Sequence, residues 1–174
     1  MYAGLINGLR ACVFTALVPF VVGLWIPWKL AGARPPAGGW WQAGWLLFGA
    51  GIALGAWCLV LFLLSGGTPA PFFTRHLGFL IGREPSQLVR GGPYRYSRNP
   101  MYVAVAAVIF GEGLRYRSAA VLEYGCAVLL LFHLVIVFLE EPHLRKARGP
   151  GYENYLRATP RWLGMPGAKP KVRT

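Results

Sequence analysis

Residues 44–64 read GWLLFGAGIALGAWCLVLFLL, an uninterrupted apolar stretch without a charged side chain. A helix needs about 20 such residues to cross the hydrocarbon core of a bilayer. The rest of the chain has the same character, since 55% of its 174 residues are hydrophobic and only 14% are charged. This composition excludes an ordinary soluble domain and predicts an integral membrane protein.

Three further apolar stretches flank this one, at residues 11–30, 101–114 and 119–139. The stretch at 101–114 is too short to span a bilayer alone, so its neighbours must shield or extend it. Only a few residues separate it from the last stretch, which favours an antiparallel helical hairpin. We predict an all-α bundle of about four transmembrane spans and an amphipathic C-terminal segment. It would form a single membrane domain with a two-span part at residues 1–66 and a second part at residues 67–174.

The chain carries 18 Lys and Arg residues against 6 acidic ones. They lie between the apolar stretches rather than on one soluble face, which argues against nucleic-acid binding. In the four-span arrangement, only Lys29, Arg34, Arg115 and Arg117 fall on the side opposite the termini. The positive-inside rule therefore predicts cytoplasmic termini. It also brings the loop before residue 101 and the end of the fourth stretch to the same face.

The first apolar stretch has two readings. Arg10 precedes it, and Ala31-Gly32-Ala33 resembles the cleavage site of a signal peptide. The stretch is bulky and is interrupted by Pro19 and Pro27, so we expect a retained, kinked helix.

Three glycines in the second stretch, Gly49, Gly51 and Gly55, loosely resemble a dinucleotide-binding fingerprint. No strand pattern surrounds them and no acidic residue follows about 20 positions later, as that fingerprint requires. We interpret Gly51 and Gly55 as sites of close helix packing. The three His residues are far apart in sequence and the six Glu are scattered, so no metal site is predicted.

A polar segment at residues 90–102, RGGPYRYSRNPMY, precedes the third stretch. Its glycines favour a tight turn, and Pro100 suits the first position of a helix. The free N–H groups of that helix favour a carboxylate or phosphate, to which Arg95 or Arg98 could add a charged fork. Tyrosines and arginines are equally typical of an interfacial belt that anchors helix ends.

Glu140 and Glu141 end the fourth stretch, where the helix dipole disfavours anions, so a ligand or nearby arginines must compensate. Surface pairing with Arg145 and Arg148 is the simpler alternative. His133 lies two turns earlier and is either a polar contact to a substrate or a satisfied buried side chain.

Several motifs follow one another in order in the second half. They are Leu88-Val89, Gly92-Pro93-Tyr94, Arg98-Asn99-Pro100-Met101-Tyr102, Glu140-Glu141, Gly149, Tyr152, Tyr155 and Pro160-Arg161-Trp162. Together they resemble the superfamily of isoprenylcysteine carboxyl methyltransferases and phospholipid methyltransferases, which are integral membrane enzymes. The resemblance covers about residues 67–162.

The resemblance implies an S-adenosylmethionine-dependent methyltransferase of a bacterial inner membrane, with a cofactor site open to the cytoplasm. The cofactor-binding residues it implies are Gln87, Leu88, Val89, Gly92, Tyr94, Arg98, Asn99, Pro100, Met101, Tyr102, Glu140 and Glu141. Glu140 and Asn99 would be catalytic, His133 would contact the substrate, and no metal would take part.

Two positions depart from the family pattern. Asn99 replaces a His that is common there, and an amide can form hydrogen bonds but cannot titrate. Ile136 stands where isoprenylcysteine enzymes carry an Arg associated with the substrate carboxylate, so prenylcysteine is not the expected acceptor. We expect another lipophilic or membrane-embedded acceptor with a thiol, amine or carboxylate nucleophile, reached from among the membrane lipids.

The basic tail after residue 145 contains Tyr152, Tyr155 and Trp162. We expect it to lie on anionic headgroups with Tyr152 and Tyr155 facing the protein. Two other functions fit the composition: an NADPH-dependent reductase of the sterol-reductase type, and a non-catalytic protein that binds lipid or assists assembly. Binding of S-adenosylmethionine, of NADPH or of neither distinguishes the three.

Overall fold

The computed structural model describes residues 17–32, 39–65 and 89–165, and within these ranges the chain forms five helices. They are α1 (Leu17–Leu30), α2 (Ala43–Leu64), α3 (Pro100–Arg115), α4 (Ala119–Arg148) and α5 (Pro150–Ala158). Helices α1 and α4 contain π-helical turns at Val21–Trp25 and Ile136–Glu140, and short 3-10 turns at Gly39–Gln42 and Gly92–Arg95 precede α2 and α3. No strand occurs in these ranges, which confirms the all-α prediction for this part of the chain.

Two of the described helices, α2 and α4, are long and apolar enough to cross a membrane. Their surfaces are largely uncovered, with large side chains such as Leu46, Trp57, Leu130 and Phe138 exposed. Exposed apolar surface of this extent suits lipid better than water. Helix α1 is shorter over its described part, and α3 has only 16 residues, about 24 Å in length. The count of about four spans therefore stays a prediction.

Helix α3 is the centre of the bundle, because α1, α2 and α4 all pack against it. Its buried residues include Ala104, Val108 and Ile109. Residues 116–118 turn the chain into α4, where the Ser118 hydroxyl accepts a hydrogen bond from the backbone N–H of Val121 at 3.4 Å. Helices α3 and α4 thus pack against each other across a short turn, and neighbouring helices cover the short α3.

Glycines allow α2 and α3 to approach closely in antiparallel orientation. A Cβ atom at Gly44 would lie 2.7 Å from the carbonyl oxygen of Gly111, and one at Gly51 would lie 2.8 Å from that of Ala104. A Cβ atom at Gly111 would in turn lie 2.6 Å from the backbone nitrogen of Phe48. Real Cβ atoms do not make such contacts with backbone, so any larger residue would push the helices apart.

The predicted packing role is confirmed for Gly51 and holds in a milder form for Gly55, where a Cβ atom would meet the Ala104 Cβ at 3.6 Å. Gly49 faces open space. The seam between α2 and α3 therefore follows Gly44, Gly51 and Gly55, a stripe on one face of α2.

Each π turn ends two residues before a proline, Pro27 in α1 and Pro142 in α4. Proline lacks an N–H group and its ring clashes with the carbonyl four residues earlier, which disrupts a regular α-helix. The widened turns are closed instead by bonds from Ile26 N–H to the Val21 carbonyl and from Glu141 N–H to the Ile136 carbonyl. Where a kink was predicted in the first helix, the structure has a π turn within a continuous helix.

The prediction that Arg115 lies in the hairpin turn was wrong. It is the last residue of α3, it is buried, and its guanidinium forms an ion pair with Glu112 at 3.1 Å. The guanidinium carbon lies 3.6 Å from the centre of the Trp45 ring, and Nη2 donates to the Tyr116 hydroxyl at 3.2 Å. Pairing and ring contact provide the compensation that a buried charge needs, and they hold the end of α3 against α2.

Replacing Gly51 with Ala should destabilise the protein by about 1–3 kcal/mol, because the new methyl group meets the backbone of α3 and cannot be accommodated by a side-chain movement. Gly49→Ala is the matched control two residues away, and it should raise stability by up to about 1 kcal/mol through helix propensity. Thermal unfolding of both variants in detergent measures the difference. Equal stabilities for the two would contradict the seam.

Replacing Arg115 with Ala should cost about 3–5 kcal/mol, because Glu112 would be left as an unpaired buried carboxylate. Glu123→Ala is the control, since Glu123 is an exposed acidic residue on α4, and it should have little effect. Equilibrium unfolding in mixed micelles provides the comparison. A cost at Arg115 no larger than that at Glu123 would show that the buried pair does not stabilise the bundle.

Candidate active site

The loop before α3 is held against the end of α2 by Gly92 and Tyr94. Gly92 has a φ of +56°, and a Cβ atom there would lie 3.0 Å from the Leu61 side chain, so both conformation and space favour glycine. The Tyr94 ring meets Phe62 edge to face with 5.7 Å between centroids, and its hydroxyl is hydrogen-bonded with the Cys58 thiol. Burial raises the pKa of Tyr94, which is therefore a neutral anchor for the loop.

Glu141 lies between two arginines from distant parts of the sequence. Its Oε1 is 2.9 Å from Nη1 of Arg98, and its two oxygens receive Nε and Nη2 of Arg161 at 2.8 and 3.0 Å. The side chains of Arg98 and Glu141 are only 10% and 8% exposed. The hydrogen bond to Glu141 raises the pKa of Arg161 above its ordinary value. This buried cluster joins the segment before α3, helix α4 and the tail.

Glu140 faces the first turn of α3. The Tyr102 hydroxyl donates a hydrogen bond to Oε1 of Glu140, and the Tyr102 ring packs on Phe132 with 4.5 Å between centroids. The positive end of the α3 dipole lies at this turn, which favours a carboxylate beside it. The side chain of Asn99 does not cap the helix, so the first N–H groups of α3 are not satisfied by it.

Residues 160–164, which we call the strap, run along the segment before α3. The Arg98 backbone N–H donates to the Pro160 carbonyl at 2.9 Å, and the Gly164 N–H donates to the Tyr96 carbonyl at 3.1 Å. Between these two bonds, the Asn99 side-chain amide donates to the Arg161 carbonyl at 3.0 Å.

Trp162 connects the strap to α4. Its Nε1–H donates to Nδ1 of His133 at 3.4 Å, and the two rings are stacked with 6.2 Å between centroids. His133 is thus in contact with the strap, which also binds the residues directly before α3.

Helix α5 docks through its tyrosines. The Tyr155 hydroxyl donates to the Tyr94 carbonyl at 2.7 Å, and Arg90 donates from Nη2 to the Gly151 carbonyl at 2.6 Å. Burial raises the pKa of Tyr152 to about 12. Both tyrosines face the protein, as predicted from the amphipathic pattern of the tail.

Residues 42–150, more than half of the chain, match the family described as phospholipid methyltransferase. The chain belongs to the phospholipid methyltransferase family. This assignment confirms the superfamily that the motifs predicted, and together with the two long apolar helices it fits a membrane methyltransferase.

Three curated relatives of this family member can be compared with it. It is 35% identical to the nickel-cobalt-cadmium resistance protein NccN of Alcaligenes xylosoxydans xylosoxydans over 85 residues, which are 47% of this chain and 38% of that protein. It is 32% identical to the cobalt-zinc-cadmium resistance protein CzcN of Cupriavidus metallidurans over 82 residues, with the same two coverages.

The third relative is the phosphatidylethanolamine N-methyltransferase B of Dictyostelium discoideum, 28% identical over 97 residues, which are 55% of this chain and 44% of that protein. The matches thus cover less than half of the length of each of the three relatives. No solved structure matches the chain. Among the described residues, no group of three or more His, Cys, Asp or Glu is placed to hold a metal ion.

The structure brings most of the predicted site residues of this methyltransferase family member to one place. Contacts join Arg98 to Glu141 and Tyr102 to Glu140, so the expected meeting of the motif with the Glu pair is confirmed. Val89, Gly92 and Tyr94 lie in the adjoining loop, and Pro100 and Met101 begin α3. Gln87 and Leu88 lie outside the described residues.

One expectation about the Glu pair was wrong in detail. Helix α4 does not end at Glu141 but continues to Arg148. The two carboxylates therefore do not lie at the negative end of the helix dipole. Arg145 forms an ion pair with Glu153 at 2.8 Å on the surface, and its positive charge also acts on Glu141. The arginine compensation itself is present and comes from Arg98 and Arg161.

Sequence reasoning missed the role of Arg161, which appeared only as part of a terminal motif. A cation for Glu141 was required, but the tail offers many cations and spacing does not distinguish them. Ser97 was also missed. It is buried, its hydroxyl accepts from the Asn99 N–H at 3.0 Å, and it donates to the Arg161 carbonyl at 3.4 Å.

Replacing Tyr155 with Phe should cost about 1–3 kcal/mol, because the buried Tyr94 carbonyl loses its donor. Tyr96→Phe is the matched control, since the Tyr96 side chain is 53% exposed, and it should be neutral. Limited proteolysis of the tail and thermal unfolding would report the effect. Identical behaviour of the two variants would show that α5 does not depend on this bond.

Proposed function

We propose that this protein transfers a methyl group from S-adenosylmethionine to a lipophilic acceptor held in the membrane. The observation that carries the proposal is the contact between the start of α3 and the Glu pair of α4 in a member of the phospholipid methyltransferase family. That contact joins the two sequence motifs on which the superfamily resemblance depends.

The residues present fit this cofactor chemically. The Asn99 side chain does not cap α3, and N–H groups at the start of a helix can donate hydrogen bonds to a carboxylate. Nε of Arg98 is buried without a hydrogen-bond partner in the described structure, which leaves a donor for an anionic or polar ligand atom. Glu140 offers a carboxylate to an ammonium group or a ribose hydroxyl.

We assign the cofactor-binding role to the residues around this point. They are Val89, Gly92, Tyr94, Arg98, Asn99, Pro100, Met101, Tyr102, Glu140 and Glu141, with Gln87 and Leu88 as the preceding members of the same segment. When bound, S-adenosylmethionine supplies a methyl group on a sulfonium that is open to attack by a nucleophile.

The protein's own contribution is orientation and exclusion of water. Tyr102 fixes the Glu140 carboxylate by its hydrogen bond, and Phe132 fixes the Tyr102 ring. The Glu140 carboxylate can take up the proton that an amine acceptor releases. Asn99 cannot do so, and we assign it to hold the site through its bond to the Arg161 carbonyl.

The acceptor would enter from the bilayer along α4. Leu130, Leu134 and Phe138 are exposed on this helix, and His133 lies among them with one ring nitrogen held by Trp162. An apolar path that leads to polar groups suits a molecule with a lipid-like body and a nucleophilic head. An amine is the acceptor most consistent with Glu140, and the Dictyostelium relative is named for methylating phosphatidylethanolamine.

The proposed orientation places both termini and the site on the cytoplasmic face of a bacterial inner membrane, in agreement with the distribution of cations. In that orientation the water-soluble donor would reach the site from the cytoplasm and the acceptor from the lipid.

Calorimetric titration of the detergent-purified protein with S-adenosylhomocysteine tests the proposal. The wild type should bind saturably, and Tyr102→Phe and Glu140→Gln should each weaken binding by about tenfold, since each removes a charge-assisted hydrogen bond. Glu153→Gln is the control, because Glu153 is a surface carboxylate paired with Arg145, and its affinity should equal that of the wild type.

A folded wild type that does not bind S-adenosylhomocysteine would refute the proposed function. Binding that is unaffected at Tyr102 and Glu140 would move the cofactor away from the start of α3.

A further inference from the structure

The strap at residues 160–164 lies beyond the part of the chain that matches the family, which ends at residue 150. It nevertheless contacts the segment that begins the matched motif, through backbone bonds at Arg98 and Tyr96. Because these contacts lie directly before α3, the strap is placed beside the proposed cofactor site, and the inference drawn from this position rests on the proposed function.

Arg161 holds the strap in place in two ways. Its guanidinium donates one hydrogen bond to each oxygen of Glu141, a forked geometry that Lys cannot reproduce. Its backbone carbonyl accepts hydrogen bonds from the side chains of Asn99 and Ser97. One residue therefore fastens the tail both to α4 and to the segment before α3.

Glu141 connects Arg161 to the proposed cofactor site. The same carboxylate binds Arg98 of the motif, and the preceding residue, Glu140, receives the hydrogen bond of Tyr102. Loss of Arg161 would leave Glu141 with one arginine instead of two and would allow the end of the π turn to shift. The side chain of Arg161 is 33% exposed, so this bond can exchange with water more readily than the buried bond to Arg98.

The bond to the Arg161 carbonyl also gives Asn99 a role that needs no titration. A side-chain N–H donor at this position is sufficient to hold the strap, and an imidazole supplies such a donor as well as an amide does.

We propose that the strap forms the aqueous wall of the donor site and that Arg161 is a positioning residue that acts through Glu141. Release of the strap from the residues before α3 would open the site for entry of the donor and for exit of its demethylated product. Arg161 thus sets how long the product stays bound.

Surface plasmon resonance with the full chain in nanodiscs, using S-adenosylhomocysteine as the probe, tests the proposal. Arg161→Ala should accelerate dissociation of the probe by about tenfold, a change that corresponds to loss of one charge-assisted contact. Arg161→Lys should restore part of the residence time. Arg157→Ala, at an exposed arginine of α5, should behave as the wild type.

A double-mutant cycle shows whether Arg161 acts through Glu141. If it does, Arg161→Ala combined with Glu141→Gln should dissociate no faster than Glu141→Gln alone. Ser97→Ala provides a milder variant if Arg161→Ala does not fold, and it should also shorten the residence time because it removes a hydroxyl that binds the strap.

The outcomes separate this inference from the proposed function. A wild type that binds the probe, with unchanged dissociation in folded Arg161→Ala or, if that does not fold, in Ser97→Ala, would overturn the role of the strap and leave the proposed function intact. Fully additive effects in the cycle would overturn the route through Glu141. A wild type that binds no S-adenosylhomocysteine would remove the proposed function and the role of the strap together.

Discussion

The buried carboxylate of Glu141 is the constraint on which the arrangement of the site depends. A carboxylate withdrawn from water destabilises a protein unless charged partners surround it. Its two arginines come from segments 43 residues before it and 20 residues after it, so neutralising one charge folds the tail onto the motif. The adjoining Glu140 accepts a hydrogen bond from Tyr102, so the two successive carboxylates have different partners. Glu141 joins the segments of the site, and in the proposed function Glu140 contacts the donor or the acceptor.

Close packing of α2 and α3 supports this site from the opposite side. The glycine stripe on α2 brings backbone against backbone, and the short α3 is thereby covered over most of its length. One end of α3 carries the polar motif. The other end carries Glu112 and Arg115, which neutralise each other beneath Trp45. A helix with polar groups at both ends and a tightly packed middle has little freedom to slide along its neighbours.

The sequence supported prediction where a residue's neighbours in the chain determine its behaviour. Apolar length predicted the helices, Pro100 predicted the start of α3, and the Gly51 spacing predicted a packing face. Prediction from the sequence failed where contacts between distant residues determine the structure. Several cations could have paired with Glu141, and only the folded tail selects Arg161. Arg115 was predicted to be a turn residue because the local sequence does not reveal its contact with Trp45, which lies 70 positions earlier in the chain. The apolar pattern also ended at Leu139, whereas the helix continues, now charged, to Arg148.

The π turn before Pro142 divides α4 into an upstream part that is mainly apolar and a downstream part that is mainly charged. Upstream of it the helix exposes leucines such as Leu130 and Leu134, while Phe132 packs on Tyr102. Downstream of it the helix presents charges whose direction matters. The π turn places one more residue in a single helical turn than an α-helix does, so it changes the direction of the residues that follow it. A regular α-helix through the same residues would point Glu140 and Glu141 in another direction, away from Tyr102 and Arg161.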